Sequence, residues 1–326
     1  YRNAGQDIQR GRQAYRRSGR DLPRKAGYTV RNAFHHHFDY IDKYYTPFIP
    51  AAKRMNAKIK RDIDPVNNDG ITLIPQAMSI VADEVIDLHR QLVPYGYDEI
   101  NVNLGCPSGT VVSKKRGSGI LAYPDMLDSF LDELYTKADF PVSIKTRVGF
   151  NDDELWPRLI EIYSKYPISE LTVHPRVQKD FYKNTPRMDD FALAMQKINP
   201  DKTTLCYNGD ITDTNGFNTL TDCFPDIDEI MIGRGLFANP ALIAELKGIS
   251  MDKAELRERL KNWHDEILSG YLSIFSGEKD AMFRMKQIWA YSTRLFSDSE
   301  KLWKKIKKCQ TLNDYKSIVR MAFDTF

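Results

Sequence analysis

From residue 40 to residue 247, short runs rich in β-branched and aromatic residues alternate with stretches whose apolar positions recur every three or four residues. The short runs predict strands near 41–48, 71–78, 98–104, 141–148, 169–175, 202–208 and 228–233, because such side chains suit a pleated, half-buried surface. The helical spacing between them predicts helices near 80–94, 124–137, 152–166, 188–198 and 214–223. In the first of these, Val81, Val85, Leu88 and Leu92 fall on one face. Thr214 is placed to cap the last, and Asp125 lies in the first turn of the second, where a carboxylate meets the positive helix end. Regular alternation of strand and helix predicts an α/β fold with a parallel sheet and crossover helices. Seven strands fit a (β/α)8 TIM barrel that is one strand short. A doubly wound open sheet is the alternative. Polar residues at the C-terminal ends of many successive strands favour the barrel, whose mouth collects them.

From about residue 250 the strand signals stop. Segments 252–275, 279–296, 299–309 and 311–324 read as helices, predicting a small bundle packed beside the barrel. Residues 1–26 differ from the rest. They hold seven arginines, little apolar material (Ile8, Tyr15, Leu22) and no strand pattern, which predicts a disordered or loosely helical segment. The expected organisation is an Arg-rich stretch at 1–26, a barrel at 27–247 and a helical unit at 248–326.

The chain has 326 residues, 42% of them hydrophobic and 28% charged, so a packed core is expected rather than disorder. No apolar run approaches the roughly 18 residues that suggest a membrane span, and no basic-then-apolar leader is visible. Cys106, Cys206, Cys223 and Cys309 are widely spaced and form no CxxC pair. This argues against a zinc site or a disulfide framework and suits a reducing cytoplasm. The formal charge of +3 is uneven. Residues 1–27 carry eight basic side chains against Asp7 and Asp21, and residues 246–326 carry sixteen basic and eleven acidic ones, which leaves the middle acidic. A basic end suits an RNA partner, although lysine-rich helix faces are also common as plain solvated surface. Monomer is the default oligomeric expectation.

The candidate chemistry lies at the strand ends. Asn103-Leu104-Gly105-Cys106-Pro107 puts a thiol where a strand gives way to a Gly/Pro turn, at the rim a substrate reaches. A small buried cysteine in a tight turn is the plainer alternative. Gln76 follows Pro75 at another strand end, and its amide carries both a donor and an acceptor for the edge of a heterocycle. Lys145 sits in an otherwise apolar strand. Inside a barrel it would need an anion or an electron-rich partner; outside it would form a surface ion pair. Alternation puts it on the face of Ser143 and Arg147 without saying which face that is. His174 and Arg176 follow a strand as His-Pro-Arg and suit a phosphate or a carbonyl, and Tyr182 is close enough to wall the same mouth. Asn208-Gly209-Asp210 and Gly233-Arg234-Gly235 follow two successive strands. Glycine-rich turns in that position commonly cradle phosphate in barrels. A phosphorylated cofactor is expected, with Lys145 and Gln76 near its ring and Cys106 across the mouth, and flavin mononucleotide (FMN) suits these groups.

The string 103–121 (NLGCPSGTVVSKKRGSGIL), with PQ at 75–76, SIKTR at 143–147, TVHPR at 172–176, YNGDI at 207–211 and MIGRGLF at 231–237, resembles the tRNA-dihydrouridine synthases. The resemblance runs from about Gly27 to the C-terminus. It implies an NADPH-dependent FMN oxidoreductase that reduces the 5,6 double bond of uridines in tRNA. It implies Cys106 as the proton donor at C5, and FMN contacts at Gln76, Lys145, His174, Asn208, Gly209, Asp210, Gly233 and Arg234. Asn103 and Arg176 match positions against the substrate uracil. The helical tail matches the family's tRNA-binding unit, with Lys301, Lys304, Lys305, Lys307 and Lys308 as expected phosphate contacts. No metal is implied. Residues 1–26 do not match the family's first barrel strand, which suggests an altered upstream region. Two other functions stay open on sequence: an FMN barrel oxidoreductase acting on a small pyrimidine, and a tRNA-binding remnant without catalysis.

Overall fold

A computed structural model describes residues 27–50 and 54–326. The expectations for residues 1–26 lie outside the described residues. The first described element is helix α1 (Tyr28–His37). The predicted run 41–48 forms two short strands, β1 (Tyr44–Tyr45) and β2 (Ile49–Pro50), with helix α2 (Ala57–Ile63) after them. The run 71–78 likewise forms β3 (Leu73–Ile74) and β4 (Gln76–Met78), split at Pro75, which has no N–H to give a ladder. Tyr45 pairs with Ile74 but Ile49 pairs with Ala77, so the first run carries one extra residue, a bulge, between its two pieces.

The remaining strands are β5 (Ile100–Leu104), β6 (Val142–Gly149), β7 (Glu170–Val177), β8 (Thr204–Tyr207) and β9 (Glu229–Ile230). Helices α3 (Ala82–Leu92), α4 (Gly109–Val112), α5 (Pro124–Lys137), α6 (Trp156–Ser164), α7 (Met188–Lys197) and α8 (Thr214–Cys223) connect them. Seven strands pair in the order β2-β4-β5-β6-β7-β8-β9, every pair parallel, while β1 pairs with β3. Chain order thus equals spatial order. A doubly wound sheet reverses its strand order at a switch point; a TIM barrel does not. The fold is the barrel. Among the described residues no strand joins β9 to β2. Strands β6 and β7 are buried along their whole length, as parallel strands covered on both faces must be.

Asp213, not Thr214, caps α8: its carboxylate accepts from the N–H of Gly216, and Thr214 is the first helical residue. Aspartate one position earlier reaches the third orphan N–H, which takes the capping role from the threonine.

Beyond α9 (Arg234–Ala238) and α10 (Leu242–Leu246) the chain is helical: α11 (Lys253–Ile274), α12 (Glu278–Ser292), α13 (Ser299–Lys308) and α14 (Leu312–Asp324). The segment expected as one helix over 279–296 ends its α-helix at Ser292 and tightens into a 3-10 turn over Thr293–Leu295. Helix α11 lies against α1. The Phe34 ring sits 5.2 Å from Trp263 and 5.7 Å from Phe237, in edge-on contacts. Gly270 permits the close approach: a Cβ there would stand 2.3 Å from Thr29 Cγ2. Both carboxylate oxygens of Glu266 meet α1, at 2.9 Å from His36 Nδ1 and 2.8 Å from His37 Nε2. No helix among the described residues is long and apolar enough to cross a membrane.

Candidate active site

A cavity of about 710 Å³ opens at the C-terminal ends of the strands. Gln76, Asn103, Cys106, Lys145, His174, Asn208, Gly209, Asp210, Gly233 and Arg234 all line it. The parallel sheet and its crossover connections bring these residues together from far apart in sequence. Lys145 therefore points into the barrel, and so does its strand face with Arg147, which also reaches the cavity.

The turn carrying Cys106 is tied at every backbone group that matters. Strand β5 delivers Asn103, whose Oδ1 accepts from the N–H groups of Gly105 (3.1 Å) and Cys106 (2.9 Å) and folds the chain back. The carbonyl of Cys106 takes Ser118 Oγ at 2.9 Å and the Ser118 N–H at 3.1 Å. Arg147 Nε donates to the carbonyl of Gly105 at 3.0 Å. Gly117, at φ +56°, passes so close that a Cβ would stand 2.7 Å from the Cys106 oxygen and 2.9 Å from its Cβ. Only glycine takes that conformation at that distance without strain. The thiol-bearing residue is 4% exposed, and what it shows is cavity wall.

Arg147 is a strut. Besides Gly105 it donates to the carbonyls of Val177 (2.9 Å) and Phe181 (2.7 Å), joining the Cys106 turn to the loop after β7. Gln178 Nε2 adds a second link to the Pro107 carbonyl at 2.9 Å. Burial pushes the Arg147 guanidinium down to about 10, and nearby Arg176 and Arg234 push the same way.

The other cationic groups converge on His174. Lys145 Nζ donates to Asn208 Oδ1 at 2.5 Å, and Asn208 Nδ2 donates to the carbonyl of Met231, which links the ends of two strands. The imidazole of His174 is held well below its ordinary range, first by burial and then by Arg147, Lys145, Arg176 and Arg234. This favours the neutral ring, and because a guanidinium only donates, Nε2 accepts from Arg176 at 3.2 Å and leaves Nδ1 as the donor. Tyr182 roofs this cluster: the Arg234 guanidinium lies 4.5 Å from its ring centre, Arg147 5.7 Å, and the His174 ring 6.4 Å in a near-parallel arrangement.

Arg176 departs from the expectation of a substrate contact. It is fully buried and does not reach the cavity wall. Its guanidinium pairs with Asp210 and with the carbonyls of Lys183 and Asn184, and one nitrogen lies 3.2 Å from His174 Nε2. The cause lies in the register. Arg147 pairs with His174 but Gly149 pairs with Val177, so β7 carries an extra residue at this point and simple alternation fails. Asp210 is shared between Arg176 and Arg234, the latter at 2.7 Å. Its carboxylate orients two arginines, and only its backbone is left for an anion.

The dihydrouridine synthase family model matches residues 13–324. The chain belongs to that family. The match begins within the Arg-rich stretch, earlier than the resemblance from Gly27 onward indicated. A probable tRNA-dihydrouridine synthase of Staphylococcus aureus is 32% identical over 203 residues, 61% of this chain and 58% of that protein. The tRNA-dihydrouridine synthase B of Escherichia coli is 30% identical over 174 residues, 53% of each chain. The chain thus spans little more than half the length of these curated relatives. Among solved structures, a monomeric dihydrodipicolinate synthase variant superposes with a TM-score of 0.50 at 8% identity, covering 97% of this chain and 99% of that one. That likeness concerns the fold alone.

For a member of this family the cavity has a second wall that sequence reasoning missed. Tyr271 from α11, Arg284, Gln287 and Tyr291 from α12, and Arg294 from the following turn all line it. The signal was present: positions 284, 287, 291 and 294 recur at three- and four-residue spacing, so they share one helix face. Lys301, Lys304, Lys305, Lys307 and Lys308 on α13 are exposed and lie off the cavity wall. On the helical side of the cavity the cationic groups are therefore Arg284 of α12 and Arg294 of the turn after it.

Proposed function

We propose that this chain reduces the 5,6 double bond of uridine in tRNA, with FMN held in the barrel and NADPH as the reductant. Family membership supports the reaction class. The observation that carries the reading is the thiol of Cys106 on the same wall-to-wall cavity as Lys145, His174 and Arg234.

The residues present fit a phosphorylated flavin. Lys145, Arg147 and Arg234 line the cavity against the single carboxylate of Asp210, so the chamber favours an anion. Gly235 keeps the second glycine turn close: a Cβ there would stand 2.2 Å from the Ile211 oxygen. Asn208–Asp210 and Gly233–Arg234 would hold the phosphate, and Lys145, Gln76 and His174 would meet the ring. When bound, the flavin supplies the hydride that adds at C6 of the uracil, and NADPH restores it.

The chain's own groups do the rest. Cys106 gives the proton that C5 acquires; a thiol is a competent acid near neutral pH. The carbonyl and amide anchors around Cys106 fix its backbone before substrate arrives, so little reorganisation is left for the reaction. Cys106, 4% exposed on the cavity wall, meets a uracil only after the base leaves its stack. Arg284 and Arg294 then stand where the flanking phosphates pass, with the exposed lysines of α13 as a more distant attraction. The four cysteines form no disulfide, which suits the reducing cytoplasm where tRNA is found.

The test is purified protein, a tRNA transcript carrying no modifications, and NADPH. The expected result is flavin absorbance in the protein and a two-hydrogen mass gain at defined uridines. A colourless protein that still shifts tRNA in a gel would replace this reading with a binding remnant. Reduction of free uracil or orotate without action on tRNA would replace it with a small-molecule enzyme.

A further inference from the structure

A chain of polar side chains runs from the floor of the barrel to the cavity. Glu99, just before β5, accepts from Ser143 Oγ at 2.6 Å. Ser143 Oγ accepts from Asn101 Nδ2 at 3.0 Å, and Asn101 Oδ1 accepts from Gln76 Nε2 at 2.8 Å. Gln76 Oε1 accepts from Asn103 Nδ2 at 2.7 Å, and Asn103 Oδ1 accepts the two backbone N–H groups of Gly105 and Cys106. Asn101 and Ser143 are fully buried and Gln76 nearly so.

The direction of this chain is forced from both ends. Backbone N–H groups only donate, so Asn103 must present its oxygen to them and its nitrogen to Gln76. Gln76 must then give its own nitrogen to Asn101, and Asn101 its nitrogen to Ser143. At the far end a carboxylate only accepts, so Ser143 must donate to Glu99. The two constraints agree at every link, and reversing any amide would set donor against donor in a buried site.

The consequence falls on the cavity. Asn103 Oδ1 already holds two hydrogen bonds, which fills its two lone pairs. One N–H of Asn103 is its only hydrogen-bonding capacity left. Gln76 spends one acceptor site on Asn103 and one N–H on Asn101, and keeps one of each, as the expected donor-and-acceptor contact to a ring requires.

We infer that Glu99, Ser143 and Asn101 are positioning residues that hold Asn103 as a donor-only group, so that this wall selects a ring carbonyl over a ring amino group. This rests on the proposed function. Uracil carries carbonyls at both C2 and C4, whereas cytosine carries an amino group at C4. An amino group facing Asn103 would leave two donors opposed in a desolvated site, and such mismatches discriminate strongly.

The test compares flavin-loaded protein on two tRNA transcripts that differ only by U or C at the position the protein reduces. Ser143→Ala cuts the relay at its centre, Glu99→Ala removes its acceptor end at a half-buried position, and Glu99→Gln keeps an acceptor there. The uridine preference in Kd is expected to fall about tenfold in Ser143→Ala and Glu99→Ala and to persist in Glu99→Gln, with the change in KM rather than kcat. Equal preference in all four proteins, each folded by circular dichroism, overturns the relay. If Ser143→Ala does not fold, Glu99→Ala decides. If wild-type protein makes no dihydrouridine, the proposed function fails instead, and side-chain amide exchange by NMR judges the relay alone. Slow exchange at Asn103 and Gln76 in wild type and Glu99→Gln, fast in Glu99→Ala, sustains it. Equal exchange in all three refutes it.

Discussion

The two walls of the cavity are built in opposite ways. The barrel wall is committed: Asn103, Gln76, Lys145, Arg147 and Asn208 each spend side-chain hydrogen bonds on other protein groups. The helix wall is uncommitted. Among the described residues the side chains of Gln287 and Arg294 make no hydrogen bond, and Arg284 only lies 5.8 Å from the ring centre of Phe275. A committed wall suits a rigid ring that must be held in one orientation, because preorganised groups cost nothing to orient when it binds. An uncommitted cationic wall suits a polyanion whose phosphates vary in position.

The sharpest way to break this contrast is to remove a strut from the committed side. Arg147→Ala strands the carbonyls of Gly105, Val177 and Phe181, and should cost about 3 kcal/mol of stability in urea unfolding, as expected when a buried charged hydrogen-bond hub is lost. A loss below about 0.5 kcal/mol, the level typical of surface sites, would mean the wall is not committed.

Next in size is Gly117→Ala. The positive φ and the contact with Cys106 should cost about 2 kcal/mol and lower turnover more than flavin occupancy. Unchanged turnover would show that the turn tolerates a shift of the thiol.

The helix wall should respond in binding, not in stability. Arg284→Ala with Arg294→Ala should leave unfolding within about 0.5 kcal/mol. It should weaken tRNA binding and lower the salt slope by about 2, roughly one per phosphate contact. Charge reversal at Lys304, Lys305, Lys307 and Lys308 should give a smaller loss of affinity, since those lysines stand off the cavity. An unaltered slope in the arginine variant would deny that wall its partner.

The smallest effect is a pH dependence. The folded state holds His174 well below 6.5, so below that pH the unfolded chain binds more protons than the folded one. Stability contributed by the neutral imidazole is complete above pH 6.5 and is lost as the pH falls toward the folded value. Tm measured from pH 7.5 to 5 should drop less steeply in His174→Gln than in wild type. Parallel curves would show that His174 does not titrate in this window.

Much of the committed wall was legible in the sequence because its residues lie on strands or just after them. Helices 124–137 and 214–223 match their predicted bounds, since an apolar stripe at a period near 3.6 is a strong local signal. The runs at 41–48 and 71–78 were legible as strands but not as broken ones. The extra residue between Tyr45 and Ile49 is a property of pairing, invisible until the neighbour is known. The same holds for Arg176, turned inward by an irregular register with β6, and for the Glu99 relay, whose members meet only across three strands. Arg284 and Arg294 were hidden for a different reason. Their spacing marks a face, but nothing local says that this face turns toward the barrel.

The central claim is that the thiol of Cys106 gives a proton in a chamber that holds the flavin independently. The most direct measurement is dihydrouridine yield and flavin content in Cys106→Ala beside wild type, with NADPH and unmodified tRNA. Full flavin content, intact reduction by NADPH and at least a hundredfold slower product formation are expected, the scale of a lost general acid. Product formation at the wild-type rate with flavin retained would contradict the account.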